Sequence, residues 1–193
     1  MTTPVEFIVL HQTKIKDNAI VVHTLSREYG RRSFIVSIKA GSSMSLFLPL
    51  NILEAEIVEN SKSQLWRAKN IISKEALMGI RQNIHKNNMT LFMSEVLFKS
   101  VFEGVYEDGL YEWCRKVILE LDALSGGYSE FNMKFLLELC MALGFAPAAE
   151  DLEPFTSPLE KDNLEALLRY LSYHLDTKLN IQSLKVLREL YAF

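Results

Sequence analysis

The stretch that decides the fold of the front half is residues 7–39, FIVLHQTKIKDNAIVVHTLSREYGRRSFIVSIK. It contains three runs rich in β-branched and aromatic residues, which are typical of strands, and short polar turns separate them. The region of the second turn carries Arg27, Tyr29, Arg31 and Arg32. Small β-barrels present cations and flat rings to a nucleic-acid strand in this way. The sequence therefore predicts a barrel whose ligand is nucleic acid.

Strand-like segments continue to about residue 73. They comprise Phe47 and residues 52–58 and 65–72, and turn-forming residues separate them. Five or six short strands at this spacing predict an OB-fold barrel over residues 1–73. The pattern alone leaves an SH3-like barrel open.

After residue 75 the period of the apolar residues changes from 2 to 3.6, which predicts helices. The sequence thus predicts an α+β protein, with the N-terminal OB-fold barrel followed by an all-helical C-terminal domain over residues 76–193. The helices are expected at residues 89–101, 110–124, 131–143 and 183–190, with a further helix starting at Ser157-Pro158-Leu159-Glu160. Residues 146–156 lack periodicity and predict a loop, and His85 is expected in another loop.

The composition is that of an ordinary globular chain, with 193 residues of which 49% are apolar. Its apolar runs are too short to span a membrane, and residues 1–4 do not resemble the start of a signal peptide. We therefore expect no membrane association and a cytoplasmic location. Cys114 and Cys140 lie in apolar helical patterns without a second ligand nearby, which predicts buried free thiols and no metal site.

The charge is distributed unevenly along the chain. Residues 1–75 hold 10 Lys and Arg against 7 Asp and Glu, whereas residues 76–193 hold 11 against 17. A basic front and an acidic rear suggest two modules with different partners.

The basic residues of the barrel are the candidate nucleic-acid site. We expect phosphate contacts from cations in both turns and from a second group later in the barrel, and base stacking on Tyr29. The alternative is a set of solvated loop cations and an aromatic ring packed on the barrel edge. The predicted residues are Lys14, Lys16, Arg27, Tyr29, Arg31, Arg32, Lys39, Arg67 and Lys69, with Lys62 in the second group.

Catalytic motifs are missing from the sequence. It contains no phosphate-binding loop of the Gly-x-x-x-x-Gly-Lys type, no Gly-x-Gly-x-x-Gly, no His-Glu-x-x-His and no Gly-x-Ser-x-Gly. We therefore expect no catalytic residue and no cofactor.

Three segments resemble the recombination mediator family RecO. Residues 8–41, IVLHQTKIKDNAIVVHTLSREYGRRSFIVSIKAG, are similar to the family's opening strands, and residues 137–147, LELCMALGFAP, to its helix ending in Leu-Gly-x-x-Pro. Residues 173–190, YHLDTKLNIQSLKVLREL, resemble its terminal helix. The segments occur in the family's order over nearly the whole chain.

The resemblance has one large departure. Many RecO proteins carry a cysteine-ligated zinc module after the Gly-x-x-Pro helix end, whereas here residues 148–157 fill that place and contain no Cys. Any function that depends on the module is put in doubt.

The resemblance implies a non-catalytic protein of DNA repair and recombination, associated with the nucleoid in the cytoplasm. It implies binding of single-stranded and double-stranded DNA, annealing of complementary strands and loading of the recombinase RecA. Implied protein partners are RecR and the acidic C-terminal tail of single-strand DNA-binding protein. A groove with a basic rim of Arg115, Lys116 and Lys134 would suit that tail. The competing hypothesis is a protein-interaction module in which the barrel is a scaffold without a DNA ligand.

Overall fold

The computed structural model describes residues 3–38, 44–61, 63, 65–155 and 163–191. Lys39, Lys62 and the helix start predicted at residues 157–160 lie outside the described residues. The strands are β1 Thr3–Lys16, β2 Ala19–Ser26, β3 Gly30–Ser37, β4 Ile52–Val58 and β5 Trp66–Ser73. The helices are α1 Met78–Arg81, α2 Ile84–Ser100, α3 Leu110–Ala123, α4 Tyr128–Ala142, α5 Ala149–Leu152, α6 Asn163–His174 and α7 Ser183–Tyr191, with 3-10 turns at Met44–Phe47 and Glu153–Phe155.

The five strands form a closed barrel in the order β1-β2-β3-β5-β4, and β4 pairs back onto β1. All pairings are antiparallel except that of β3 with β5. Alternate side chains point inward and pack the barrel interior, as the two-residue period of a strand requires. This core includes Phe7, Val22 and Phe34, each fully buried. The predicted OB-fold barrel with a helical C-terminal part is confirmed.

The helical part packs directly on the outside of the barrel. Outward-facing Ile8, Leu10 and Leu25 belong to the same buried cluster as the helical residues Phe92 and Val96. Helix α2 is buried on most faces and lies between β1, α4 and α7. The barrel and helices therefore share a core, although the chain changes from strands to helices between Ser73 and Met78.

Several local predictions differ from the structure. Residues 149–155 form a short helix and a 3-10 turn within the predicted loop, where Asp151 accepts a hydrogen bond from the Ala148 backbone at the helix start. His85 lies in α2, because Asn83 caps that helix by accepting hydrogen bonds from the His85 and Lys86 amides. Phe47 ends a 3-10 turn instead of lying in a strand.

The two cysteines lie in the buried core of the helical part. Cys114 and Cys140 are buried free thiols, as predicted, and burial raises their pKa values to about 12 and about 11. In the described part of the chain, no helix is long and apolar enough to cross a membrane. No cluster of His, Cys, Asp and Glu in these residues could hold a metal ion.

Candidate nucleic-acid interface

The residues predicted to bind nucleic acid occupy three separate places on the barrel. Lys14 and Lys16 lie at the β1–β2 hairpin, and Arg67 and Lys69 lie on the outer face of β5. The rest surround the β2–β3 turn: Arg27, Tyr29, Arg31 and Arg32. They do not converge on one face of the barrel.

Arg31 points out of the barrel and under helix α2. It pairs across the hairpin with Leu25 and is only 4% exposed. Its guanidinium carbon lies 4.8 Å from the centre of the Phe98 ring, and its Nε and Nη1 have no hydrogen-bond partner. Burial lowers the pKa of Arg31 despite the opposing field of Glu103. The helix thus removes Arg31 from the surface that DNA could reach.

Two histidines complete this cluster around Phe98. The rings of His11 and His23 lie 5.8 Å apart, and each lies within about 5 Å of Phe98, at 4.9 and 5.2 Å. His23 is held by Ser33 Oγ at 2.8 Å and Thr13 Oγ1 at 3.2 Å. Burial and the nearby Arg31 lower both histidine pKa values, so the imidazoles are neutral at pH 7.

Arg32 points the opposite way from Arg31, because neighbours on a strand alternate. It lies over Trp66, with its guanidinium carbon 3.7 Å from the ring centre. Tyr29 meets Trp66 edge-on at 4.9 Å and donates its hydroxyl hydrogen bond to Glu59 at 3.2 Å. These side chains cover one end of the barrel, and Tyr29 and Trp66 pack against the barrel core. The Tyr29 ring is half-buried.

Arg27 takes part in an ion network at the junction between barrel and helices. Its Nε donates to Glu112 at 2.8 Å, and its Nη2 lies 3.5 Å from Glu6. Tyr111 donates to the same Glu6 oxygen at 2.6 Å, and Arg115 Nε lies 3.4 Å from it. Arg27 is therefore held by acids on both sides of the junction.

The predicted partner rim is also engaged in ion pairs. Arg115 pairs with Glu75 at 2.5 Å in addition to Glu6. Lys134 lies 2.8 Å from Glu120, to which Lys116 is also paired at 3.7 Å. Lys116 and Lys134 are exposed, whereas Arg115 is half-buried in the junction.

The remaining cations of the barrel are accessible. Lys14 pairs with exposed Asp17 at 3.0 Å. Lys16, Arg67 and Lys69 are exposed and make no side-chain hydrogen bond or ion pair with any described residue. Arg67 and Lys69 both point outward, because Ala68 between them is buried in the barrel core.

Two cavities flank these β5 cations, and no sequence pattern predicts either of them. One of about 460 Å³ opens between β3, β5 and the Met44–Phe47 turn. The other, of about 350 Å³, lies against the β4–β5 connection. Arg67 and Lys69 line both. A third cavity of about 450 Å³ lies at the junction and is lined by Leu10, Leu91 and Phe98 among others.

Similarity to known proteins places this chain in a family. It is 30% identical to the DNA repair protein RecO of Phocaeicola vulgatus over 148 residues, which are 75% of this chain and 61% of that protein. The same figures hold for RecO of Bacteroides fragilis. RecO of Flavobacterium psychrophilum is 26% identical over 96% of this chain and 97% of its own length. The chain belongs to the RecO family.

The family assignment comes from these relatives, because no protein-family model matches the chain. The matched region spans about 61% of the first relatives. The alignment with the F. psychrophilum RecO covers 232 positions, 39 more than the 193 residues of this chain. That relative therefore has residues without a counterpart here. All these relatives carry the name DNA repair protein RecO.

Proposed function

We propose that this RecO-family protein binds single-stranded DNA on its barrel and acts as a non-catalytic mediator of DNA repair and recombination. The observation that carries the proposal is the exposed, unpaired state of Lys16, Arg67 and Lys69 within the described residues. These side chains can exchange counterions for phosphates without first breaking an ion pair, although Glu56 lies opposite Lys69 in the β4–β5 pairing.

The positions of the three cations are compatible with one strand crossing the barrel. Lys16 pairs with Ala19, which pairs with Ser37 at the end of β3. Ser37 follows Val36, the last β3 residue that pairs with β5, opposite Ala68. Adjacent strands are about 4.8 Å apart, so Lys16 and Lys69 lie within roughly 15 Å of each other along the barrel surface. A few nucleotides of extended DNA can span this distance.

Annealing, RecA loading and protein contacts belong to the same proposal. Neutralising the phosphates of two strands lowers their mutual repulsion, which would speed annealing of complementary DNA. Support for RecA, RecR and the tail of single-strand DNA-binding protein as partners comes from the family resemblance. Of the predicted rim, exposed Lys116 and Lys134 are the more accessible contacts for an acidic tail, because Arg115 is held in the junction.

Fluorescence anisotropy with a labelled single-stranded oligonucleotide at several salt concentrations tests DNA binding. In Arg67→Gln/Lys69→Gln, we expect the magnitude of the log–log salt slope to fall by about 1.4, which corresponds to two lost phosphate contacts. The matched control is Lys178→Gln/Lys185→Gln, which removes two exposed cations from the helical part and should leave the slope unchanged. Absence of binding at low salt by the folded wild type would refute the proposal.

A second candidate function is a protein-interaction module without a DNA ligand. The dispersal of the predicted cations and the apolar junction cavity of about 450 Å³ favour it. The same titration discriminates between the two, since an interaction module predicts no salt-dependent binding of the oligonucleotide by the wild type.

A further inference from the structure

The barrel is closed along one seam by a short strand pairing. Among the described residues, strands β3 and β5 pair through three residue pairs, from Phe34–Trp66 to Val36–Ala68. Beyond these pairs, Asn70 of β5 has a positive φ of 52°. The pairing of β5 with β4 also shifts its register between Glu54 and Glu56, which is typical of a β-bulge. The cavity of about 460 Å³ lies beside this short pairing, and we call it the seam cavity.

The seam cavity is apolar inside and basic at its rim. Its walls include Val36, Ile38 and Phe47 from the β3 side and Ile71 from β5. Arg67 and Lys69 stand at the rim, and two residues along a strand separate them by about 7 Å. A hydrophobic pocket with a few charged groups at its mouth is a common form of small-ligand site.

The two cations form a ridge with a cavity on either side. The second cavity lies against the β4–β5 connection, where Val58 and Leu65 add apolar lining and Glu59 adds a carboxylate. A negatively charged polymer backbone can therefore lie along this ridge. The groups attached to that backbone can then enter the cavities on either side.

The usual ligand face of an OB-fold is partly closed in this protein. OB-folds bind oligonucleotides over strands 2 and 3 and the adjoining loops. Here Phe98 of α2 covers His23 and Arg31 on that face. The backbone of residues 104–105 also hydrogen-bonds to Arg31, at 3.0 and 3.4 Å. The open surface of the barrel is therefore displaced toward β5.

We propose that the seam cavity receives an unstacked nucleobase of single-stranded DNA while Arg67 and Lys69 bind the adjacent phosphates. This inference rests on the proposed function and adds a mode of recognition to it. A base can enter the cavity only when it is not paired, so the site selects single-stranded over duplex DNA. Burial of one base against these walls should strengthen binding about tenfold, whichever base it is.

The test compares a thymidine oligonucleotide with an abasic oligonucleotide of the same length and charge. We expect the wild type to bind the thymidine oligonucleotide about tenfold more tightly, and Ile71→Gln to reduce this ratio to about twofold. The matched control is Ile72→Gln. Ile72 is the neighbouring residue, it is 54% exposed and it does not line the cavity, so its substitution should leave the ratio unchanged.

Equal affinities of the wild type for the two oligonucleotides would overturn the base-binding inference and leave electrostatic DNA binding intact. Equal effects of the two substitutions would also overturn it. Failure to bind either oligonucleotide would instead refute the proposed function. Hydrogen exchange of the wild type gives a readout without a variant: thymidine DNA should protect residues 44–47 and 69–73, and abasic DNA should not.

Discussion

The two flanks of the barrel hold the same kinds of cation in opposite states. At the junction with the helices, Arg27 and Arg115 share the carboxylate of Glu6. On the open flank, Arg67 and Lys69 are exposed and make no ion pair with a described acid, although Glu56 lies opposite Lys69 on β4. The difference arises from what packs against each strand, since helices α2 and α3 supply the covering residues at the junction.

This comparison shows that a basic residue near a barrel turn is not by itself a DNA contact. Desolvation and acids on a second structural element convert such a residue into part of the junction. Substitutions at the junction should therefore change stability, while substitutions on the open flank should change the salt dependence of DNA binding. The following predictions test this separation.

Gly30 is a junction position where no side chain fits. Its φ is +62°, and a Cβ atom there would lie 2.5 Å from the Val105 carbonyl oxygen. Gly30→Val should reduce the free energy of unfolding by about 3 kcal/mol or more, through backbone strain and the lost contact with residues 104–105. Urea denaturation measures the loss. In Gly126→Ala, where a Cβ would meet nothing within 4 Å, the change should stay below about 0.5 kcal/mol.

The carboxylate of Glu6 on β1 connects the barrel to helix α3. Its side chain is 12% exposed and accepts from Tyr111 at 2.6 Å, with Arg115 at 3.4 Å and Arg27 at 3.5 Å. Glu6→Ala leaves these partners without their carboxylate and should cost about 2–3 kcal/mol. Glu112→Ala is the control, because its side chain is 59% exposed and its pair with Arg27 should be worth below about 1 kcal/mol. Equal costs for the two variants would contradict the junction network.

Glu95 attaches α7 to α2 and makes this attachment dependent on pH. Burial would raise the pKa of Glu95, but hydrogen bonds from Lys99, Ser183 and the Gln182 amide outweigh it and lower the pKa to about 2. The folded-state pKa is below the ordinary value of 4.5, so the stabilisation is present above pH 4.5 and is lost as the pH falls toward 2. Glu95→Gln should cost about 2 kcal/mol at pH 7.

The pH dependence is tested by the difference in free energy of unfolding between the wild type and Glu95→Gln, measured by thermal denaturation at each pH. The difference should shrink between pH 5 and pH 2, because both proteins then carry an uncharged side chain at this position. A constant difference across that range would show that the carboxylate charge does not stabilise the attachment of α7.

The sequence predicted the barrel well because strand alternation and turn residues are local signals. The period-2 pattern around Ala68 also places Arg67 and Lys69 on the outside. Local signals could not predict the burial of Arg31, because it depends on Phe98, which is 67 residues later in the chain. The same holds for the Glu6 network and for the seam cavity, whose walls come from separate segments.

Substitution of Arg31 should give the smallest change in stability, and its effect on DNA binding separates the two flanks most clearly. Its guanidinium is buried, with Nε and Nη1 unpartnered, so the fold bears the cost of a desolvated charge without an ion pair. Arg31→Met keeps most of the side-chain volume and the contact with Phe98, and should raise the free energy of unfolding by about 1 kcal/mol. Arg31→Ala is the volume control and should destabilise the protein, because it leaves a cavity.

The DNA affinity of Arg31→Met decides what the junction contributes to binding. We expect it to stay within twofold of the wild type in the anisotropy titration, with an unchanged salt slope, because Phe98 separates the guanidinium from solvent. A slope reduced as far as in Arg67→Gln/Lys69→Gln would mean that DNA reaches Arg31, which requires α2 to move off the barrel. In that case the junction would be a second DNA site that opens on binding, and the contrast between the two flanks would hold only for the free protein.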